Sequence, residues 1–201
     1  MSSFKHSIIL SLLVWCMAAG CAGPSPVPSD HFYRLPELNA ASLDRPVLLG
    51  TLSIAPFSAG GLYNERSIIY VDENQPLELK RYRYHLWNNT PVYLLQQHLA
   101  DYLKKIGIAE QVVIFQPGVE SEYKLSGNVS HFERVVGNGV DQVKVSLTFL
   151  FISPGNSTQA HEYQVSFPVQ GGGIHDSVEA FGAALQQIYD ALVQDVGQSI
   201  R

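Results

Sequence analysis

Apolar and polar positions change rhythm along this chain, and each rhythm predicts an element. Residues 46–56 form an apolar stretch bracketed by Pro46 and Pro56 and read as a strand. Gly60 and Gly61 mark a loop, after which residues 66–71 predict a second strand. Residues 72–76 are turn-like, and 77–84 are expected to form a third strand. The period then lengthens: Val92, Leu95, Leu99, Tyr102, Leu103 and Ile106 step onto one helical face. Asn89 or Thr90 caps this helix, Pro91 takes its first position and Gly107 ends it. Residues 110–115 read as a short buried strand.

Period-two alternation returns three times. Tyr123, Leu125, Val129 and His131 are expected to share one face of the first strand. Val143, Val145, Leu147, Phe149 and Phe151 do so in the second, and Tyr163, Val165, Phe167 and Val169 in the third. Gly137-Asn138-Gly139 and Pro154-Gly155-Asn156 are turn chemistry between them, which predicts an antiparallel meander. A last helix is expected over residues 176–200, capped by Asp176. Its stripe of Val178, Phe181, Leu185, Ile188, Leu192 and Val196 is wide enough to cover a sheet face. The elements together predict an α+β fold: a single domain with a mixed, mostly antiparallel sheet and two long helices packed on one face.

Composition narrows the function classes. At 201 residues, 46% hydrophobic and 15% charged, the chain can fill one core. Its 13 Lys+Arg against 18 Asp+Glu, with no basic cluster, exclude an electrostatic nucleic-acid binder. Two cysteines exclude a disulfide framework and a cysteine-rich zinc module. His31, His85, His98, His131, His161 and His175 are scattered singly, without the paired spacing of metal ligands. There is no G-x-S-x-G elbow. Gly171-Gly172-Gly173 before the last helix has neither the lysine nor the spacing of a phosphate-binding loop and reads as a strand-to-helix connection. No catalytic residue, cofactor or metal is therefore expected.

The N-terminus carries a different message. Lys5 precedes an apolar run over residues 8–19, shorter than the roughly 18 residues that span a bilayer. Small residues follow, as in a secretory signal. Ala18-Ala19-Gly20-Cys21 resembles the lipobox of bacterial lipoproteins. The resemblance implies cleavage before Cys21, a diacylglycerol thioether on its sulfur and an acyl chain such as palmitate on its amine. Residues 1–20 are then a signal peptide, 21–30 a lipidated proline-rich tether, and 31–201 a periplasmic domain. More than one acyl chain anchors firmly. Ala22 after the cysteine, where Asp would retain the protein at the inner membrane, implies the outer membrane.

Several further segments fall in a familiar order: Phe32-Tyr33-Arg34-Leu35, the strand over 47–56, the stretch over 61–70, and Tyr84-His85-Leu86-Trp87 before the Pro91 helix. In this order the chain resembles the ABC-type transport auxiliary lipoproteins. That resemblance implies a non-enzymatic partner of a lipid-transport system, working with a permease and an MCE-domain protein that bridges the periplasm. Self-association is left open. Residues 61–87 combine aromatic and arginine side chains, the types that dominate binding hot spots, so Tyr63, Arg66, Arg81, Arg83 and Trp87 are the expected docking residues. The alternatives are a structural or assembly lipoprotein of the outer membrane and a tethered periplasmic hydrolase.

Overall fold

A computed structural model describes residues 28–200. The expected signal peptide, Cys21 and the tether up to residue 27 lie outside the described residues. The strands are β1 (His31–Tyr33), β2 (Leu48–Ile54), β3 (Ser58–Ala59), β4 (Ser67–Asp72), β5 (Leu79–Trp87), β6 (Ala109–Ile114), β7 (Tyr123–Val136), β8 (Gln142–Ser153) and β9 (Ser157–Pro168). The helices are α1 (Pro91–Ile106) and α2 (Ile174–Gln198), and a 3₁₀ turn covers Gly61–Asn64. The chain is thus one α+β domain with a curled mixed sheet.

β7 organises that sheet. One edge pairs with β8 along nearly its whole length, and β8 pairs with β9, both antiparallel. The other edge is divided among β2 at Leu52↔Tyr123, β3 at Ser58↔Asn128 and β4 at Ile69↔Glu133, all parallel. β6 extends the sheet beyond β2, and β5 followed by β1 extends it beyond β4. Antiparallel ladders dominate by length, while the short strands meeting β7 run parallel to it.

The predicted alternation of β8 holds: Val143, Val145, Leu147, Phe149 and Phe151 are all buried. α2 lies against β8 and β9. Phe181 closes on Phe132 and Trp87, with ring centroids 4.4 and 5.5 Å away. α1 packs beside α2, the Tyr102 ring 5.6 Å from that of Tyr189, and the Tyr102 hydroxyl donates to Asp190. Gly127 on β7 leaves room for Phe57, whose ring a Cβ there would meet at 2.6 Å.

Four expectations are corrected. A bulge between Val129 and His131 turns β7 over, so Phe132 rather than His131 continues the core face. The third strand starts at Leu79, not residue 77, because the turn is longer: the Asp72 carboxylate accepts the Asn74 N–H at 2.9 Å, and Gln75 and Glu78 continue the turn. β6 is an edge strand in which the consecutive Glu110 and Gln111, on opposite faces, are both exposed, so neither face is buried along its whole length. α2 begins at Ile174 with Gly173 as N-cap; Asp176 reaches back to accept the Gly173 N–H at 2.9 Å. α1 is built as expected from Thr90, Pro91 and Gly107, the glycine taking φ 71° to stop the helix.

Candidate functional site

The expected docking residues lie around β5, where the ladder with β4 breaks. Ser67 pairs with Leu86, yet Ile69, two positions on, pairs with Arg81, five positions back. The surplus residues over 82–85 bulge outward, and their aromatic rings meet those of β1 and β4. Tyr82 packs on Tyr70 at 4.5 Å and edge-on to His85 at 5.7 Å. His85 stacks on His31 at 5.2 Å, and its Nδ1 lies 2.9 Å from the Tyr33 hydroxyl. Burial, and then the neighbouring His31, push the His85 imidazole below its usual pKa.

Beneath the bulge sits Arg134, a buried cation on β7. Its Nη1 donates to the Tyr82 hydroxyl at 3.3 Å. Its Nη2 donates to the Asp141 carboxylate and, at 2.9 Å, to the Gly172 carbonyl. One side chain therefore ties β5, the β7–β8 turn and the glycine-rich connection into α2. A Cβ on Gly171, at φ 133°, would collide with the Asp176 carboxylate, so that connection is specified by its contacts rather than slack.

The five docking residues part company. Trp87 is 1% exposed and Tyr63 8%, so both belong to the core rather than to a surface. The Tyr63 hydroxyl donates to the buried Glu133, and burial followed by that carboxylate raises its pKa well above the usual phenol range. Arg66 is exposed but structural. Its Nε and Nη2 donate to the Trp87 and Asn88 carbonyls at 3.2 and 3.0 Å, and its guanidinium lies 5.3 Å from the Phe32 ring. Arg81 and Arg83 remain exposed side by side on the outer face of β5. Arg81 pairs with Glu65 at 2.7 Å, and Arg83 lies 5.5 Å from the Tyr84 ring.

Sequence reasoning missed Arg134, Tyr82 and His85 as a unit. The available signal was Glu133-Arg134, two charges inside a long apolar strand, with Asp141 one turn away.

A second concavity, an open groove of about 370 Å³, separates residues 35–38 from α1 and includes His98, Asp101 and Lys105. His98 is committed elsewhere: its Nε2 lies 2.9 Å from the Pro36 carbonyl, which only accepts, so Nε2 carries the proton. Burial lowers the His98 pKa, against the raising effects of that hydrogen bond and of Asp101. Among the described residues no three His, Cys, Asp or Glu side chains converge as a metal site, and no helix is long and apolar enough to cross a membrane.

The architecture is that of an α+β domain built around one long strand, with its distinctive chemistry in a bulged edge rather than in a pocket. Residues 33–193 match the family described as ABC-type transport auxiliary lipoprotein component, and the chain belongs to that family. Its fold is shared with protein XCC0632 from Xanthomonas campestris, with a TM-score of 0.73, 19% identity and coverage of 84% of this chain and 97% of that one. An uncharacterized protein is also similar, with a TM-score of 0.67, 15% identity and coverage of 84% and 99%. No curated protein is significantly similar in sequence.

Proposed function

We propose that this chain is a non-catalytic component of an ABC transporter of the MCE lipid-transport type. In this reading Cys21 anchors it in the outer membrane, facing the periplasm, and the outer face of β5 docks the bridging MCE-domain protein. The observation that carries the reading is the family match over residues 33–193, preceded by Cys21 at the end of Ala18-Ala19-Gly20. Arg81 and Arg83 suit a docking role because the fold does not depend on them. The Arg81–Glu65 pair is exposed on both sides, and such pairs contribute about 1 kcal/mol or less.

Two experiments test this. Cys21→Ser should yield an unprocessed or soluble protein; a cleaved, detergent-partitioning variant would refute the anchor. Arg81→Glu with Arg83→Glu should leave the circular dichroism spectrum and melting temperature unchanged. It should also weaken capture of the bridging protein by roughly 30-fold, the effect of losing a hot spot worth about 2 kcal/mol. Undiminished capture would remove β5 from the interface.

A further inference from the structure

The turn between β7 and β8 is fastened at both ends and bare between them. The Glu73 N–H donates to the Val136 carbonyl at 2.8 Å, and the Val169 N–H donates to the Asp141 carbonyl at 2.7 Å. The Asp141 carboxylate is held in addition by Arg134. Residues 137–140 are all exposed and, among the described residues, make no hydrogen bond of their own. Within this bare span lies Asn138, the one asparagine of the chain that is followed by glycine. The amide nitrogen after an asparagine can attack that asparagine's Cγ and close a five-membered ring. The attack needs a nitrogen free of hydrogen bonds, a backbone free to turn, and little bulk on the following residue, which glycine supplies by lacking a Cβ.

Every other asparagine is followed by a residue that carries a side chain, and several are also held. The N–H groups of Glu65 and Gln75, after Asn64 and Asn74, donate to the Leu62 and Asp72 carbonyls. The Thr90 N–H donates to Oδ1 of Asn89 itself at 2.8 Å. Asn128 and Val129 lie inside β7, opposite Thr148 and Leu147, and Ser157 after Asn156 is paired with Ser153. The glycines on either side of Asn138 differ as well. A Cβ on Gly137 would collide with the Glu73 carboxylate, so packing requires that glycine. A Cβ on Gly139 would meet nothing within 4 Å, and its φ lies outside the left-handed region. The fold does not need glycine at 139.

We propose that Asn138 is a site of spontaneous deamidation, and that its isoaspartyl product loosens the Arg134 fastening. The Gly139 nitrogen gives its proton to solvent base and bonds to Cγ of Asn138. The Cγ–Nδ2 bond breaks, and the departing nitrogen takes up a proton and leaves as ammonia. Water then opens the succinimide at either of its two carbonyls. Opening at Cγ gives aspartate; opening at the backbone carbonyl gives isoaspartate, in which the main chain runs through Cβ and Cγ. One water enters and one ammonia leaves, with no oxidant or reductant. Either product adds a carboxylate next to Gly137, where the Glu73 carboxylate already lies. Isoaspartate also lengthens the backbone of a span tied at both ends. Asp141 is thereby shifted off Arg134, which holds Tyr82 under the β5 bulge and the Gly172 carbonyl before α2.

The test ages the full mature protein in heavy-oxygen water and maps its peptides by mass spectrometry, with fragmentation that separates aspartate from isoaspartate. Asn138 should convert several-fold faster than Asn64, Asn74 and Asn156, faster still as pH rises, and with isoaspartate in excess. Gly139→Ala should slow the conversion several-fold at an unchanged melting temperature. Conversion no faster at 138 than elsewhere, a product free of isoaspartate, or an alanine variant that converts like wild type would overturn the site. Hydrogen exchange over 82–85 and 171–173 should quicken in the isoaspartyl protein but not in Asn138→Asp, which adds the charge without the length. Unchanged exchange in the isoaspartyl protein would overturn the link to Arg134. Equal quickening in Asn138→Asp would overturn the longer backbone as its cause.

Discussion

β8 and β9 pair from Gln142↔Pro168 to Ser153↔Ser157 without a slip, whereas β4 and β5 lose register within two residues. The first hairpin holds its shape by dry packing: Phe149, fully buried on β8, touches Phe57, Tyr163 and Tyr189. The second is fastened by a cation: Arg134 bonds Tyr82, Asp141 and Gly172 under the bulge. An uninterrupted apolar row enforces regular pairing, since a one-residue slip would turn the whole row to solvent. Where specific polar contacts do the fastening, the backbone is free to depart from the ladder and to present side chains outward.

That contrast can be broken at either end. Phe149→Ala should cost about 3–5 kcal/mol, because the cavity lies where neither sheet nor helix can collapse, and should show as a much lower denaturation midpoint. A loss below 1 kcal/mol would mean that the regular hairpin does not depend on its core row. Arg134→Met should cost about 3 kcal/mol by stranding Asp141, and should also loosen the bulge. Hydrogen exchange ought then to accelerate over 82–85 and 171–173 while β8 stays protected. Uniform acceleration would show that Arg134 supports the whole domain rather than one edge.

The smallest effect is a pH dependence. His85 titrates below the usual imidazole value in the folded chain, as do His98 and His131. Between the lowered folded values and the ordinary value near 6.5, the unfolded chain binds more protons. Stability is therefore highest above about pH 6.5 and declines as pH falls toward the folded values. Melting curves from neutral to mildly acidic pH should show this slope, and His85→Gln should flatten it. An unchanged slope would assign the dependence to His98 and His131 alone.

The regular hairpin was legible because its rule is local. Val143 to Phe151 alternate strictly, and Gly155-Asn156 marks the turn. The same rule misplaced His131, because a bulge inserts one residue without changing the local composition. Trp87 and Tyr63 look alike in sequence to hot-spot residues and core residues; only the arrival of Phe132, Phe181 and Glu133 decides in favour of the core. The Arg134 cluster was least legible, since it gathers residues from 82, 134, 141 and 172 that no spacing relates.

The shared edge of β7 also governs timing. β2, β3 and β4 all complete themselves against a strand that lies roughly 60 to 70 residues further along the chain. Growing from its N-terminus, the polypeptide can pair β2 with β6 and β4 with β5, but β3 has no partner and the two pairs have nothing to join them until residues 123–136 have emerged. Closing such long loops before any reward makes folding slow, and it makes the commitment late and collective. In the proposed reading of residues 1–20 as an export leader, that delay keeps the polymer threadable during passage. The separate β2–β6 and β4–β5 pairs become one sheet only once β7 has followed them across.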